Sequence, residues 1–477
     1  MRKWAGFLIA VFISQTVPAH ADGSDQLMSA IEGLKQQMAR MQQTIDAQNL
    51  RLQQLESHKV LETPQPSVPV SAQPGDEAFP WLKGAKYGGD FRLRYDAFDY
   101  YNKGDSDGST GGAADRTRNR FRIRLRWGFE KDYGDDWKVG FRLATGNTTD
   151  PNSTNQTLGN SGYFTYKNFL VERAYVTYEP GGLKDDGPLK GVKVGAGKFE
   201  NPFLRYSTPM VWDSDVTPEG IYEQANLSLV NEKDNKLNFQ ATTGQFIVNE
   251  NTGVDTDANI FAYQGALSWA TDMFGSEQPV TLSGAVSYYD YTNWFHTVLA
   301  SGNTAATSYL RTNSITADDF RVVDIYPELV FYVHGLPVTT WYDYAWNTAN
   351  VGTDDAAQSG LNPDVDRDSA WGVGFKIGKA KAKGSWEASY GYYEIGADAV
   401  PAAFNDNDFG GPDTNGFTNR KGHKFGAAYQ ITDNVQLAWT GYIVSPLDTV
   451  VANTATGLGS ARNEDVFRSQ LDLVYKF

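Results

Sequence analysis

Arginine holds every second position of the stretch RTRNRFRIRLRW, and the last five are Arg118, Arg120, Arg122, Arg124 and Arg126. Phe121, Ile123, Leu125 and Trp127 fill the positions between them. In an extended strand successive side chains point to opposite faces, so this spacing gathers the guanidiniums on one face and the hydrophobes on the other. A helix would scatter both sets. A wall of fixed positive charge repels itself unless water, solute anions or acidic groups compensate it, and its chemistry is electrostatic: it orders water and sorts polar solutes. Two settings suit such a strand. One is a soluble sheet with a solvated basic face; the other is a membrane barrel with water inside and lipid outside.

In the membrane setting the direction of the ladder is fixed by energy. An arginine facing lipid near the midplane costs about 2 to 4 kcal/mol, so three of the five would consume a typical domain's stability. The ladder is therefore expected to line the lumen, with Phe121, Ile123 and Leu125 toward lipid and Trp127 as an interfacial aromatic. Arg92 and Arg94, alternating with Phe91, Leu93 and Tyr95, are expected beside it, as is Arg142. Compensating acids stand in the later segment NPFLRYSTPMVWDSDVTPEG, which holds Arg205, Asp213, Asp215 and Glu219. Folded inward, this loop would constrict the pore and set a transverse field against the ladder; left outside, its acids are solvated loop residues.

The elements that must position these residues are strands. Period-two alternation bounded by turn residues predicts about sixteen, near 86–97, 118–130, 136–146, 168–179, 190–199, 218–228, 236–246, 260–270, 279–290, 319–333, 337–347, 368–380, 385–395, 421–431, 435–445 and 465–477. Their connections sort by length. Tight ones fall at 131–135, 230–235, around Gly335, at 381–384 and at 432–434; long polar ones fall at 98–117, 147–167, 200–217, 291–318, 348–367, 396–420 and 446–464. Short turns at one end and long loops at the other are the pattern of an outer-membrane barrel, and a soluble sandwich has no reason to sort its loops this way. No motif repeats at a period of 20 to 50 residues, which argues against a propeller or solenoid.

The N-terminal part reads differently. Arg2 and Lys3, the apolar run Trp4 to Ile13 and Ala19-His20-Ala21 form a secretory signal over 1–21. Over 22–60, Leu27, Ile31, Leu34, Met38, Met41, Ile45, Gln48, Leu52 and Leu55 recur at heptad spacing, which predicts a self-associating α-helical coiled coil in the periplasm. Prolines at 64, 66, 69, 74 and 80 make 61–84 an extended spacer. The barrel is expected over 85–477. The 477 residues include no cysteine, so thiol and disulfide chemistry are excluded, and a net charge of -15 argues against nucleic acid as a partner. Five histidines without metal-ligand spacing, and the lack of HExxH and GxSxG, leave no catalytic or metal constellation and call for no cofactor.

The final strand, DVFRSQLDLVYKF, puts Phe467, Leu471, Leu473, Tyr475 and Phe477 on one face and Arg468, Gln470, Asp472 and Lys476 on the other. Ending on a lipid-facing aromatic resembles the C-terminal signature that the assembly machinery of bacterial outer membranes recognises. With RNRFRIRLRWGFE at 118–130, FRLATGN at 141–147, DPNSTNQTLGN at 150–160, GKFENPF at 197–203, VWDSDVTPEG at 211–220 and LVYKF at the end, residues 85–477 resemble the bacterial family called putative porins, and more distantly the phosphate- and polyphosphate-selective porins. The resemblance implies a sixteen-stranded homotrimeric channel in the outer membrane of a Gram-negative bacterium, narrowed by a loop. The expected function is passive diffusion of small hydrophilic solutes or ions. Two alternatives stand beside it: a channel specific for an anion such as phosphate or a carboxylate, and a barrel that anchors the envelope through a cell-wall contact of its coiled coil.

Overall fold

The computed structural model describes residues 83–102, 116–148, 150–160, 162–181, 187–203, 208–250, 257–272, 278–294, 313, 320–349, 367–410, 418–448 and 464–477. The expected signal, coiled coil and most of the spacer lie outside the described residues. So does Arg205.

Seventeen strands form one sheet: β1 (Lys86–Asn102), β2 (Arg116–Gly134), β3 (Trp137–Thr145), β4 (Gln156–Thr157), β5 (Phe169–Tyr178), β6 (Leu189–Lys198), β7 (Glu219–Glu232), β8 (Asn235–Asn249), β9 (Ala258–Thr271), β10 (Val280–Thr292), β11 (Phe320–Val333), β12 (Leu336–Asn347), β13 (Ser369–Gly378), β14 (Trp386–Ile395), β15 (Arg420–Gln430), β16 (Val435–Pro446) and β17 (Glu464–Lys476). Setting aside the two-residue β4, which pairs only with β2 at Arg122 and Ile123, sixteen strands remain. They are antiparallel to their neighbours, and β1 pairs with β17 from Asp90↔Lys476 to Asn102↔Glu464, so the sheet closes into a barrel. Closure leaves no unpaired edge, which a membrane core demands.

The seam is tied at the last residue. Gly89 N donates to the Phe477 carbonyl at 3.0 Å, and Phe477 N donates back to Gly89 O at 3.1 Å. Glycine is required at 89 because a Cβ there would lie 2.1 Å from the Arg126 carbonyl and 2.8 Å from the Phe477 ring. At the short-turn end, His334 and Gly335 both adopt positive φ, 51° and 78°, as a two-residue hairpin turn needs. β7 and β8 are likewise joined by Lys233 and Asp234 alone, whereas the strand ends that flank 199–218, 293–319, 348–368 and 396–419 lie far apart in sequence.

The pleat divides each strand between two environments. In β2, Phe121 is 53% exposed and Trp127 39%, while Arg122 between them is 8%. The same parity holds in β17, where Leu471, Leu473 and Tyr475 are exposed and Gln470 and Asp472 are buried. The apolar set thus covers the outside and the polar set points inward. The inward face is not uniform. Over β7 to β14 it carries Phe246, Ile260, Tyr289, Tyr291, Phe320, Val322 and Tyr393, packed against apolar residues of the 199–218 and 396–419 connections.

Candidate functional site

Residues 199–203 and 208–218, between β6 and β7, enter the barrel because their apolar side chains have an inner wall to bury against. Phe199, Phe203, Met210, Val211, Trp212 and Val216 are all buried there. Phe203 meets Phe246 and Tyr289 edge-on, with ring centroids 5.9 and 5.6 Å apart. Trp212 packs edge-on to Tyr289 and stacks on Phe404 of the 396–419 connection at 5.3 Å. That second loop is inside as well: Phe409 is fully buried against Tyr393 and Tyr442. The loops join through Asp213 N to Phe404 O at 2.6 Å and Asp406 N to Pro209 O at 3.2 Å. A third, 146–168, closes the set: Asn152 Nδ2 donates to Asn405 O at 2.8 Å, and Thr154 Oγ1 to Asp215 Oδ2 at 3.0 Å.

Facing these loops is the wall built by β1, β2 and β17. The antiparallel register sets Asp90 opposite Arg126, Arg92 opposite Arg124, Arg94 opposite Arg122 and Asp96 opposite Arg120. Asp90 lies between two guanidiniums, 2.7 Å from Arg124 and 2.7 Å from Arg126. Asp96, fully buried, takes Arg468 in a fork at 2.9 and 3.0 Å and Arg120 at 2.9 Å. Arg94 forks onto Asp472 at 2.7 and 2.8 Å. Asp408, at the tip of the 396–419 loop, bridges Arg94 at 3.0 Å and Arg468 at 2.8 Å. Such forked pairs carry directional as well as coulombic strength.

The expected site residues therefore distribute unevenly. Arg92, Arg94, Arg120, Arg122, Arg124 and Arg126 share the inward face; Arg118 lies further along β2, opposite Phe98. Arg142 belongs to a separate pair with Glu172 of β5. Of the loop acids, Asp213 and Asp215 both reach the wall side, and Asp215 lies 3.8 Å from Arg126. Glu219 does not: it is the first residue of β7, exposed, and pairs with Lys198 at 2.7 Å, because the pleat of β7 turns it outward. The 200–217 loop brings Asp215 beside Arg126, and it is not the only source of acid here. Most of the compensating charge comes from Asp90 and Asp96 of β1, Asp472 of β17 and Asp408 of a different loop. Asp90 and Asp96 had a sequence signal, since GGDFRLRYDAF places Asp, Arg, Arg and Asp at 90, 92, 94 and 96, all of one parity. Asp408 had none.

Charge and burial separate the loop carboxylates. Burial alone would raise Asp215, but Arg124, Arg92 and Arg126 outweigh it and hold the group at about 2. Burial likewise opposes ionisation of Asp408, and Arg468, Arg94 and Arg122 keep it well below the ordinary carboxylate range. Asp213 goes the other way: burial, then Asp406 and Asp215, push it well above that range. Between wall and loops lies a cavity of about 230 Å³ bounded by Arg92, Arg94, Arg124, Asn152, Asp213 and Tyr442 among others.

A closed sixteen-stranded barrel, apolar outside and polar within, with loops folded into its lumen, defines a porin-type channel. Residues 72–319 and 316–446 match the family described as Putative porin, and the chain belongs to that family. It is an outer-membrane channel of a Gram-negative bacterium. Among solved structures, the high-pH form of Pseudomonas putida OprB is similar at 10% identity over 84% of this chain and 96% of that one, with a TM-score of 0.47. The outer membrane channel DcaP of Acinetobacter baumannii shares 14% identity over 83% and 98%, TM-score 0.39. A mutant of Rh. blastica porin shares 10% over 82% and 100%, TM-score 0.39. No curated protein sequence matches this chain.

Proposed function

We propose that the barrel conducts small hydrophilic solutes by passive diffusion, and that its selectivity is set where the arginines of β1 and β2 face Asp213, Asp215 and Asp408. The observation that carries this reading is the inward docking of the 199–218 loop: its apolar side packs on one wall while Asp215 approaches Arg126 on the other. Such opposed fixed charges orient polar solutes and order the water between them. The reading includes export by the 1–21 signal, assembly as a homotrimer, a periplasmic coiled coil over 22–60 joined by the 61–84 spacer, and recognition of Phe477 during membrane insertion.

The test is single-channel conductance and reversal potential in planar bilayers under a salt gradient, for the wild type and for Arg122→Ala with Arg124→Ala. Discrete steps are expected from both, with the double variant shifted toward cations. Absence of steps from heat-modifiable, folded protein would defeat the diffusion-channel reading.

A further inference from the structure

We infer that the cavity between the arginine wall and the three loops is a subsite for small zwitterions, molecules that carry one carboxylate and one ammonium group as an α-amino acid does. The inference rests on the diffusion-channel reading and names the solute class its narrowest part favours.

Charge balance comes first. The cationic residues lining the cavity are Arg92, Arg94, Arg124 and Lys424. The acidic ones are Asp213, Asp215, Asp406 and Asp408, and because burial disfavours the ionised form of Asp213, the two sets reach four against four only when a cation arrives beside it. A lone cation meets the excess of guanidiniums, and a lone anion leaves the Asp213 side unused. A solute with both charges, separated as the walls are, gains twice.

Partnering then identifies the groups that would do the binding. Arg94 is committed to Asp472 and Asp408, and Arg124 to Asp90. Lys424 and Asp406 face each other at 3.3 Å. Asp215 accepts from Thr154 and lies near Arg126. Arg92 is different: its closest carboxylate, Asp472, is 3.7 Å away, it donates to Asn155 Oδ1 at 2.5 Å, and its buried Nε has no hydrogen-bond partner among the described residues. On the other side Asp213 accepts only the backbone N–H of Asp215, at 2.7 Å, and forms no ion pair among the described residues. Asn152 adds a third point. It is 2% exposed, its Nδ2 is used by Asn405, and its buried Oδ1 has no partner among the described residues.

Unpartnered buried polar atoms are few in native proteins and call for a bound molecule or water. Here two of them, Arg92 Nε and Asn152 Oδ1, belong to residues that line the cavity, the first able to donate to a carboxylate and the second to accept from an ammonium, and the Asp213 carboxyl lines the same cavity. An arriving ammonium supplies the positive charge that favours the ionised form of Asp213. The size agrees, because about 230 Å³ is below the roughly 300–1,000 Å³ of pockets that take drug-sized ligands.

The experiment compares γ-aminobutyrate, butyrate and butylammonium as transient blockers of the KCl current of the full-length protein in planar bilayers. Because hydrogen bonds to charged groups contribute about 1.5–3 kcal/mol, interruptions by the zwitterion are expected to be about tenfold more frequent or longer than those by either single ion. Arg92→Gln and Asp213→Asn should each remove that excess, read as the ratio of γ-aminobutyrate block to butyrate and butylammonium block within the same variant. Butyrate acting as well as γ-aminobutyrate would overturn the inference in favour of an anion site, and equal, weak action of all three would overturn it outright. The three-solute comparison needs only the wild type, so a variant that fails to fold leaves it decisive. A lack of KCl steps would instead defeat the channel reading on which the inference stands.

Discussion

The inner wall over β1, β2 and β17 and the inner wall over β7 to β14 perform one task, holding loops inside a barrel, with opposite chemistry. The second uses aromatic and aliphatic packing, in which each contact is weak, undirected and tolerant of small shifts. The first uses forked ion pairs, in which each guanidinium has a fixed geometry and losing one partner strands the other. A loop gripped on one side by rings and on the other by charges is located by the first and oriented by the second. This division leaves the charged side chains on one side of the loops and the bulk of the buried loop surface on the other.

The comparison breaks most visibly at Trp212, where the aromatic half meets both inward loops. Trp212→Ala removes the contacts with Tyr289 and Phe404, and a buried Trp or Phe truncation costs about 3–5 kcal/mol. The barrel wall does not depend on this residue, so the loss falls on loop docking. Larger single-channel steps with unchanged heat-modifiable mobility are the expected result. Steps of wild-type size would mean that the rings do not hold the loop.

On the charged side the corresponding change is Arg468→Met. It leaves Asp96 and Asp408 buried with one partner fewer each, and breaking a buried pair by removing one member costs about 3–5 kcal/mol. Here the wall itself is affected, because Arg468 ties β17 to β1 across the closing seam. Urea unfolding followed by tryptophan fluorescence should show a lower midpoint. Adding Asp408→Asn should recover part of the loss, since Asp408 then has no charge to strand, Arg94 keeps Asp472 and Asp96 keeps Arg120.

Acidity sharpens the contrast between the two loop carboxylates. Asp215 is held at about 2, so its contribution to docking is complete above its unfolded value of about 3.9 and is lost only as pH falls toward about 2. Asp213 is raised, so its contribution has the opposite sign: complete below about 3.9 and lost as pH rises through its folded value. Ionisation at high pH also adds negative charge to the constriction. The reversal potential should move toward cation preference as pH rises above the ordinary carboxylate range, and Asp213→Asn should flatten that slope while leaving conductance at neutral pH intact. An unchanged slope in the variant would place the titrating group elsewhere.

These differences explain what could be read in advance. All sixteen barrel strands were legible because their signal is local: alternation within a dozen residues and a turn at each end. The shared parity of the arginine ladder was also legible, because it lies within one strand. The partners of Arg94 were not, because Asp472 lies 378 residues from it and Asp408 lies 314 away, and only closure of the barrel brings them together. The aromatic wall was hidden for a related reason. Tyr289 and Tyr393 alternate within their strands like any inward residues, and nothing local says that a loop from another part of the chain will cover them.

Glu219 provides the smallest and most specific test of this account. Sequence proximity to Asp213 and Asp215 grouped it with the constriction, whereas the pleat of β7 turns it to the outer rim, exposed and opposite Lys198. An exposed ion pair of this kind contributes about 0–1 kcal/mol. Glu219→Gln should therefore leave both the unfolding midpoint and the reversal potential within error of the wild type, while Asp215→Asn, four residues earlier, should shift the reversal potential toward anions by removing charge beside Arg126. If Glu219→Gln instead changes selectivity as much as Asp215→Asn does, then the loop and the first turn of β7 face the lumen together, and the separation between a rim of surface pairs and a wall of buried ones fails at that strand.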